Sequence, residues 1–269
     1  MITYPFTYRR AKSLADAEAA LIASPDAKLL AGGQTLVATM KQRLANPAVL
    51  IDIGQIPELR FIRREVHGLM IGAGTRHHEV ATSAEVRKTI PALAELAERI
   101  GDPAVRHMGT LGGSLANNDP AADYPAATLA LGASIVTSRR PIAADDFFQG
   151  MFSTALEEGE IIRHVVFPVP ERAAYAKFPN PASRYALAGV FVAKLKDGVR
   201  VAVTGAGPSV FRVSEMEIAL TKTFSPEAIA GISVPEDTLN SDIHASAGYR
   251  AHLVTIMAKR AVKAAIERR

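Results

Sequence analysis

The chain has 269 residues, 48% of them hydrophobic, enough apolar material for one large packed core or several smaller ones. It has no cysteine, which excludes disulfides, thiolate nucleophiles, zinc–thiolate sites and iron–sulfur ligation, so redox chemistry has to come from a bound organic cofactor or from a partner. Its net charge of +4 arises from 31 basic residues interleaved with 27 acidic ones; the arginine pairs beginning at Arg9, Arg63, Arg139 and Arg268 are scattered without interleaved aromatics, a pattern that points away from nucleic acid.

Residues Met1 to Phe6 show no charged region followed by an apolar segment, and no apolar run approaches the ~20 residues of a membrane span, so a cytoplasmic protein without a span is expected. Ser13 to Ala23 predicts a helix with Ser13 as N-cap and Leu14, Ala17, Leu21 and Ile22 on one face. Lys28 to Ala31 is a short buried strand running into Gly32-Gly33. Thr35 to Leu44 follows as a helix whose first amides point back at the glycine turn, together a plausible anion site. Pro47 breaks this helix, and Val49 to Ile53 is a strand beside the first. A small α/β lobe over residues 1–55 results.

From Leu59 short strands joined by tight turns, Leu59 to Arg63 and Leu69 to Thr75, open a second α/β lobe over residues 56–170. Gly72-Ala73-Gly74 lacks the third glycine and downstream acid of a dinucleotide fingerprint. His77, His78 and Glu79 suggest a metal, but strand neighbours point to opposite faces and no other histidine cluster completes a ligand set, so ordinary surface or helix-start histidines are expected. Ser83 to Lys88 and Ala92 to Ile100 read as helices. Gly109-Thr110-Leu111-Gly112-Gly113-Ser114 is a second glycine turn, able to take positive φ and to approach a ligand closely. Leu115 to Pro125 is a polar, proline-punctuated loop that reads either as a binding loop or as a solvated loop with Asx turns.

Ala126 to Leu131 (helix), Ala133 to Thr137 (strand), Phe147 to Met151 (helix over the site) and Ile161 to Phe167 (strand) follow, and Pro168 and Pro170 mark a second boundary. Tyr185 to Lys194 and Val199 to Thr204 form a hairpin turning at Asp197-Gly198. With helices at Met216 to Leu220, Pro226 to Gly231 and the amphipathic stretch Ala247 to Arg269, they make a third, α+β lobe over residues 171–269.

Four segments now carry a resemblance: Ala-Gly-Gly-Gln-Thr at 31–35, Ile-Gly-Asp-Pro-Ala-Val-Arg at 100–106, Gly-Thr-Leu-Gly-Gly-Ser at 109–114 and Asp-Pro-Ala-Ala-Asp-Tyr-Pro at 119–125. In this order they closely resemble the FAD-binding medium subunit of molybdenum hydroxylases, of the carbon monoxide dehydrogenase and xanthine dehydrogenase type. Ser246-Ala247-Gly248-Tyr249-Arg250, followed by Lys259-Arg260-Ala261, is similar to the C-terminal flavoprotein domain of the same family. The likeness covers nearly the whole chain.

The resemblance implies an α+β fold: two N-terminal α/β lobes of the vanillyl-alcohol-oxidase-like type enclosing FAD, and a C-terminal lobe with a three-stranded antiparallel sheet and helices. It implies that the diphosphate is held by Ala31, Gly32, Gly33, Gln34 and Thr35 on one side and by Thr110, Leu111, Gly112, Gly113 and Ser114 on the other, with Leu36 and Arg106 also among the cofactor-binding residues. Asp123 matches an aspartate that hydrogen-bonds the adenosine part, Asn117 is a loop amide within reach of the cofactor, and Ile162 resembles an apolar residue against the adenine. Lys177 reads either as a basic residue near the isoalloxazine or as a solvated linker lysine. The chain departs from the family pattern in carrying Gln34 for histidine, Thr35 for serine and His107 for asparagine, where a second-layer hydrogen-bonding residue is expected. No catalytic residue is implied in this chain. Its implied partners are a large molybdenum-cofactor subunit, a small [2Fe-2S] subunit and an external electron acceptor. The rival readings are a free-standing FAD-linked oxidase acting directly on a small substrate and a non-catalytic module for a phosphate ligand.

Overall fold

The computed structural model describes residues 2–268. Its first sheet is parallel, in the order β1 (Thr7–Arg10), β3 (Val49–Asp52), β2 (Ala27–Leu30). The connections are helical: α1 (Leu14–Ala23) between β1 and β2, α2 (Leu36–Lys41) between β2 and β3. Ser13 caps α1 by accepting from the Asp16 amide, as a serine before an apolar run should. α2 stops short of the expected Leu44 because Arg43 takes a left-handed φ of 61°, which a helix cannot continue through. Ala17, Ala20, Ile51, Ile53 and Ile56 form this lobe's core, with Ile161 reaching in from the next lobe.

The second sheet is antiparallel throughout. β4 (Ile62–Glu65) and β5 (Gly68–Gly72) form a hairpin, after which the chain runs through α3 (His77–Thr82), α4 (Ala84–Thr89), α5 (Pro91–Glu98), α6 (Pro103–Met108), α7 (Leu111–Asn117) and α8 (Tyr124–Ala130). It returns as β6 (Ser134–Thr137), β7 (Pro141–Ala143), α9 (Ala144–Phe147), the small hairpin of β8 (Phe148–Gly150) and β9 (Ser153–Thr154), and β10 (Ile162–Phe167). The strand order is β4-β5-β10-β6-β7.

Three expectations for this lobe are corrected. His77 and His78 are helix-start histidines, one of the two alternatives expected, but the surface alternative fails for His77, which is buried. The helix expected over Phe147 to Met151 ends at Phe147: Gly150 at φ 159° and Phe152 at φ 53° reverse the chain into a hairpin, and the Asn118 side chain donates to the carbonyls of Gly150 and Ser153. The second glycine motif is not a positive-φ turn. Thr110 is the N-cap of α7, and both Gly112 and Gly113 are helical.

The third sheet consists of β11 (Arg172–Pro179), β12 (Ala186–Leu195), β13 (Gly198–Thr204) and a two-residue strand β14 (Phe211–Arg212) appended to the three long ones. Both faces are covered, and the two-residue periodicity of strands sorts the side chains. Phe191, Ala193 and Ala202 join the core of the second lobe, while Val190, Val192, Val201 and Val203 pack under α10 (Ser214–Lys222) and α11 (Ala247–Glu267). The C-terminal sheet is thereby fused to α5 and α8 through one continuous apolar core.

Candidate functional site

A cleft of about 510 Å³ lies between the first two lobes. One wall is the turn from β2 into α2. Gly33 there has φ 70°, a conformation that excludes most side chains. The amides of Gly32, Gly33, Gln34, Thr35 and Leu36 meet no acceptor among the described residues, since the first helical bond is Val37 N–H to the Gly33 carbonyl. Five successive free N–H groups around a left-handed glycine form a concave nest for an anion, reinforced by the partial positive charge at the start of α2.

The opposite wall is built differently. The Leu111 and Gly112 amides donate to the carbonyls of Thr75 (3.0 Å) and Ala73 (2.8 Å), and the Gly113 amide donates to Thr110 Oγ1 at 3.2 Å. These donors are occupied within the protein, so this motif works through bare backbone and hydroxyls. Gly112 lets α7 press onto the end of β5, since a Cβ there would lie 2.5 Å from the Ala73 Cβ. A Cβ on Gly113 would instead project toward the cleft, 4.0 Å from the Ala31 Cβ. Gly32 locks the two walls together: its Cβ position is 2.3 Å from the Met108 carbonyl oxygen.

Ala31, Gly32, Gly33, Gln34, Thr35, Leu36, Thr110, Gly112, Gly113, Ser114, Asn117, Asp123 and Ile162 all line this one cleft. Three expected residues stand behind it. Leu111 is fully buried in the second-lobe core. Arg106 donates to the carbonyls of Ile100 (2.9 Å) and Gly101 (3.0 Å), closing the turn before α6. Lys177 is buried, not solvated; its Nζ lies 2.9 Å from Asp123 Oδ1 and 3.0 Å from the Arg99 carbonyl.

Asp123 also accepts a 2.5 Å hydrogen bond from the Tyr175 hydroxyl. Burial pushes its carboxyl pKa up, against the opposing pull of the Lys177 ammonium and the Tyr175 hydroxyl. Farther along the cleft Glu160 is held below the usual carboxylate range: burial would raise it, but the Glu157 amide, the Thr137 hydroxyl and Arg140 outweigh that effect. His107 donates from Nδ1 to the Pro103 carbonyl at 2.7 Å and stacks on His78 with ring centroids 4.1 Å apart, outside the cleft lining.

Sequence reasoning missed His77, Lys28, Gly54, Asp119, Glu160 and Tyr185 as lining residues. His77 was within reach through its place one turn after β5, where α3 begins against Gly109. Burial, helped by the nearby Arg106 charge, lowers its pKa to about 4, so the imidazole is neutral at physiological pH. Tyr185 directly precedes β12 of the third sheet and carries no local motif.

Residues 4–170 match the family of the FAD binding domain in molybdopterin dehydrogenase. The chain is 38% identical to the carbon monoxide dehydrogenase medium chain of Hydrogenophaga pseudoflava, covering 98% of both chains, and 37% identical to the nicotine 6-hydroxylase medium subunit of Paenarthrobacter nicotinovorans, covering 95% of both. It superposes on a chain of the reconstituted CO dehydrogenase from Oligotropha carboxidovorans with a TM-score of 0.92 at 34% identity, over 100% of both chains. A cleft with an anion nest between two α/β lobes and relatives of this kind lead to one assignment: the chain belongs to the family of FAD-binding domains of molybdopterin dehydrogenases, and it is a flavoprotein oxidoreductase subunit whose cofactor is FAD.

Proposed function

We infer that this chain is the electron-transfer flavoprotein of a heteromeric molybdenum hydroxylase. In this reading a large partner chain oxidises the substrate at a molybdenum cofactor, a small [2Fe-2S] chain relays the electrons, and FAD bound here delivers them to an external acceptor. The observation that carries the reading is how the C-terminal residues are used. Both faces of the third sheet are consumed, one in the core shared with α5 and α8 and the other under α10 and α11. Among the described residues, 171–268 are thus spent on a sheet and helices packed against the FAD lobes, and not on a separate substrate-capping domain of the kind a free-standing oxidase of this fold uses over its flavin. The two relatives named above support the same division of labour. Their names refer to carbon monoxide and nicotine, yet this chain is nearly equally similar to both, as expected if the substrate is chosen elsewhere.

Within this chain, the free amides of residues 32–36 hold the diphosphate, and the Thr110 and Ser114 hydroxyls complete the opposite wall. Asp123, fixed by Tyr175 and Lys177, keeps acceptor capacity for a ribose hydroxyl. Ile162 offers apolar surface to the adenine. Location in the cytoplasm is part of the proposal; among the described residues no helix is long and apolar enough to cross a membrane.

The test is purification from the native source. A large and a small chain should co-purify, and the isolated FAD-loaded chain should turn over no small substrate on its own. Substrate oxidation by the isolated chain would overturn the reading in favour of the oxidase.

A further inference from the structure

The segment Ser246 to Arg250 lies at the start of α11, on the far side of the third sheet from the cleft, yet its arginine is buried. Arg250 is 3% exposed, and its Nε has no acceptor among the described residues. A buried guanidinium is costly to retain unless its hydrogen bonds fix something. Here Nη2 pairs with Asp242 at 2.7 Å, while Nη1 donates to two carbonyls from separate segments, Leu187 and Gly205, at 2.8 Å each.

Both carbonyls lead to the cleft. Gly205, whose carbonyl accepts from Arg250, donates its amide to the Pro120 carbonyl at 2.8 Å. Beside it the Thr204 hydroxyl lies within hydrogen-bond distance of the carbonyls of Pro120 (3.0 Å) and Ala122 (2.6 Å). Pro120 and Ala122 belong to the loop from which Asp119, Ala122 and Asp123 line the cleft. The second carbonyl, Leu187, is two residues from Tyr185, which also lines the cleft and lies near enough to Asp119 and Asp123 for their charges to act on its hydroxyl. The Gly205 turn has little freedom to give: its φ is 82°, and a Cβ there would lie 2.3 Å from the Ala186 carbonyl oxygen.

We propose that Arg250 is a positioning residue for the cofactor site, holding the Asp119–Asp123 loop and Tyr185 at fixed separation through the Gly205 turn and the Thr204 hydroxyl. The C-terminal lobe then sets how tightly FAD is held without contacting it through α11. This rests on FAD occupying the cleft.

The test compares four variants of the full chain, Arg250→Met, Thr204→Val, Glu217→Gln and Gly113→Ala, by FAD titration of the apoprotein, the visible spectrum of the bound flavin and thermal unfolding. Glu217 is buried in the same lobe and accepts from the Val201 amide and Arg212, away from the cleft, so its variant reports lobe destabilisation alone. Arg250→Met and Thr204→Val should weaken FAD binding about five- to tenfold and shift the flavin absorption bands, the size expected for one or two lost hydrogen bonds. Glu217→Gln should lower Tm with affinity and spectrum unchanged. Should Arg250→Met fail to fold, Thr204→Val decides. Unchanged FAD affinity and spectrum in Thr204→Val, or equal weakening in Glu217→Gln, would overturn the positioning role. Unchanged affinity in Gly113→Ala would instead remove FAD from the cleft, a separable failure.

Discussion

Replacing Gly113 with alanine separates what the glycine does for the helix from what it does for the ligand. The residue is helical, so alanine gains up to about 1 kcal/mol in intrinsic propensity. The new Cβ would come within 2.9 Å of Thr110 Oγ1, which has to shift by a few tenths of an ångström and weakens a cap worth about 1 kcal/mol. These terms oppose, and the apoprotein should stay within about 1 kcal/mol of the parent. In the other direction the methyl meets only the Ala31 Cβ at 4.0 Å and so fills the gap between the two walls. Losing one charge-assisted phosphate contact costs about 1.5–3 kcal/mol, or about 10- to 150-fold in affinity. Titration of the apoprotein with FAD, followed by flavin fluorescence, together with unfolding with and without FAD, measures both terms. Gly32→Ala is the counterpart, because its Cβ would overlap the Met108 backbone and should cost about 1–3 kcal/mol in the apoprotein itself. If Gly113→Ala bound FAD within twofold of the parent, the gap between the motifs would not be the diphosphate site.

Two further outcomes follow from buried charge. Lys177→Met leaves the Asp123 carboxylate buried beside Tyr175 without its cation, and urea unfolding at neutral pH should show a loss of about 3–5 kcal/mol; a loss below about 1 kcal/mol would mean the pair is solvated in solution. His77, with its pKa depressed from 6.5 to about 4, makes stability fall with acid: between pH 6.5 and 4 the unfolded chain binds a proton that the folded chain refuses, so up to about 3 kcal/mol present above pH 6.5 is lost as pH falls toward 4. His77→Gln should flatten the pH dependence of the urea midpoint across that window, and an identical slope in both proteins would refute the buried, neutral imidazole.

Much of the first lobe was legible because its signals are local. Ser13 is a capping residue directly before an apolar run and behaves as its chemistry dictates; in the third lobe Asp197-Gly198 likewise marks the β12–β13 hairpin, but one residue late, since Gly198 already pairs with Leu195 and the two-residue loop is Lys196-Asp197. β1 gave no such signal, since all four of its residues are exposed and it exists only by pairing with β3, some forty residues on. Likewise β11 is fixed by its partner β12 and by α11, not by its own pattern. The two histidines were open between surface and helix start because a two-residue motif carries no period, and only the packing of His77 against Gly109 shows that this helix start lies in the protein interior.

The two glycine motifs show where sequence reasoning stops. Both read as phosphate turns, since paired glycines remove Cβ atoms in either case, but what a missing Cβ accomplishes depends on the atoms beside it. At Gly33 it permits a left-handed residue that leaves a row of amides unbonded, and at Gly112 it permits helix α7 to pack on β5, with its amides spent on the Ala73 and Thr75 carbonyls. One motif therefore supplies the electrostatics and the other the closeness of approach. Substitutions should divide accordingly: changes around Gly33 act on the amide nest and should alter how affinity depends on the ligand's charge, whereas Gly113→Ala should weaken FAD and adenosine diphosphate alike through lost space. Comparing the affinities of FAD, adenosine diphosphate and adenosine in Gly33→Ala and Gly113→Ala distinguishes the two. A loss in Gly33→Ala as large for uncharged adenosine as for the diphosphate would contradict the assignment of charge recognition to the first turn.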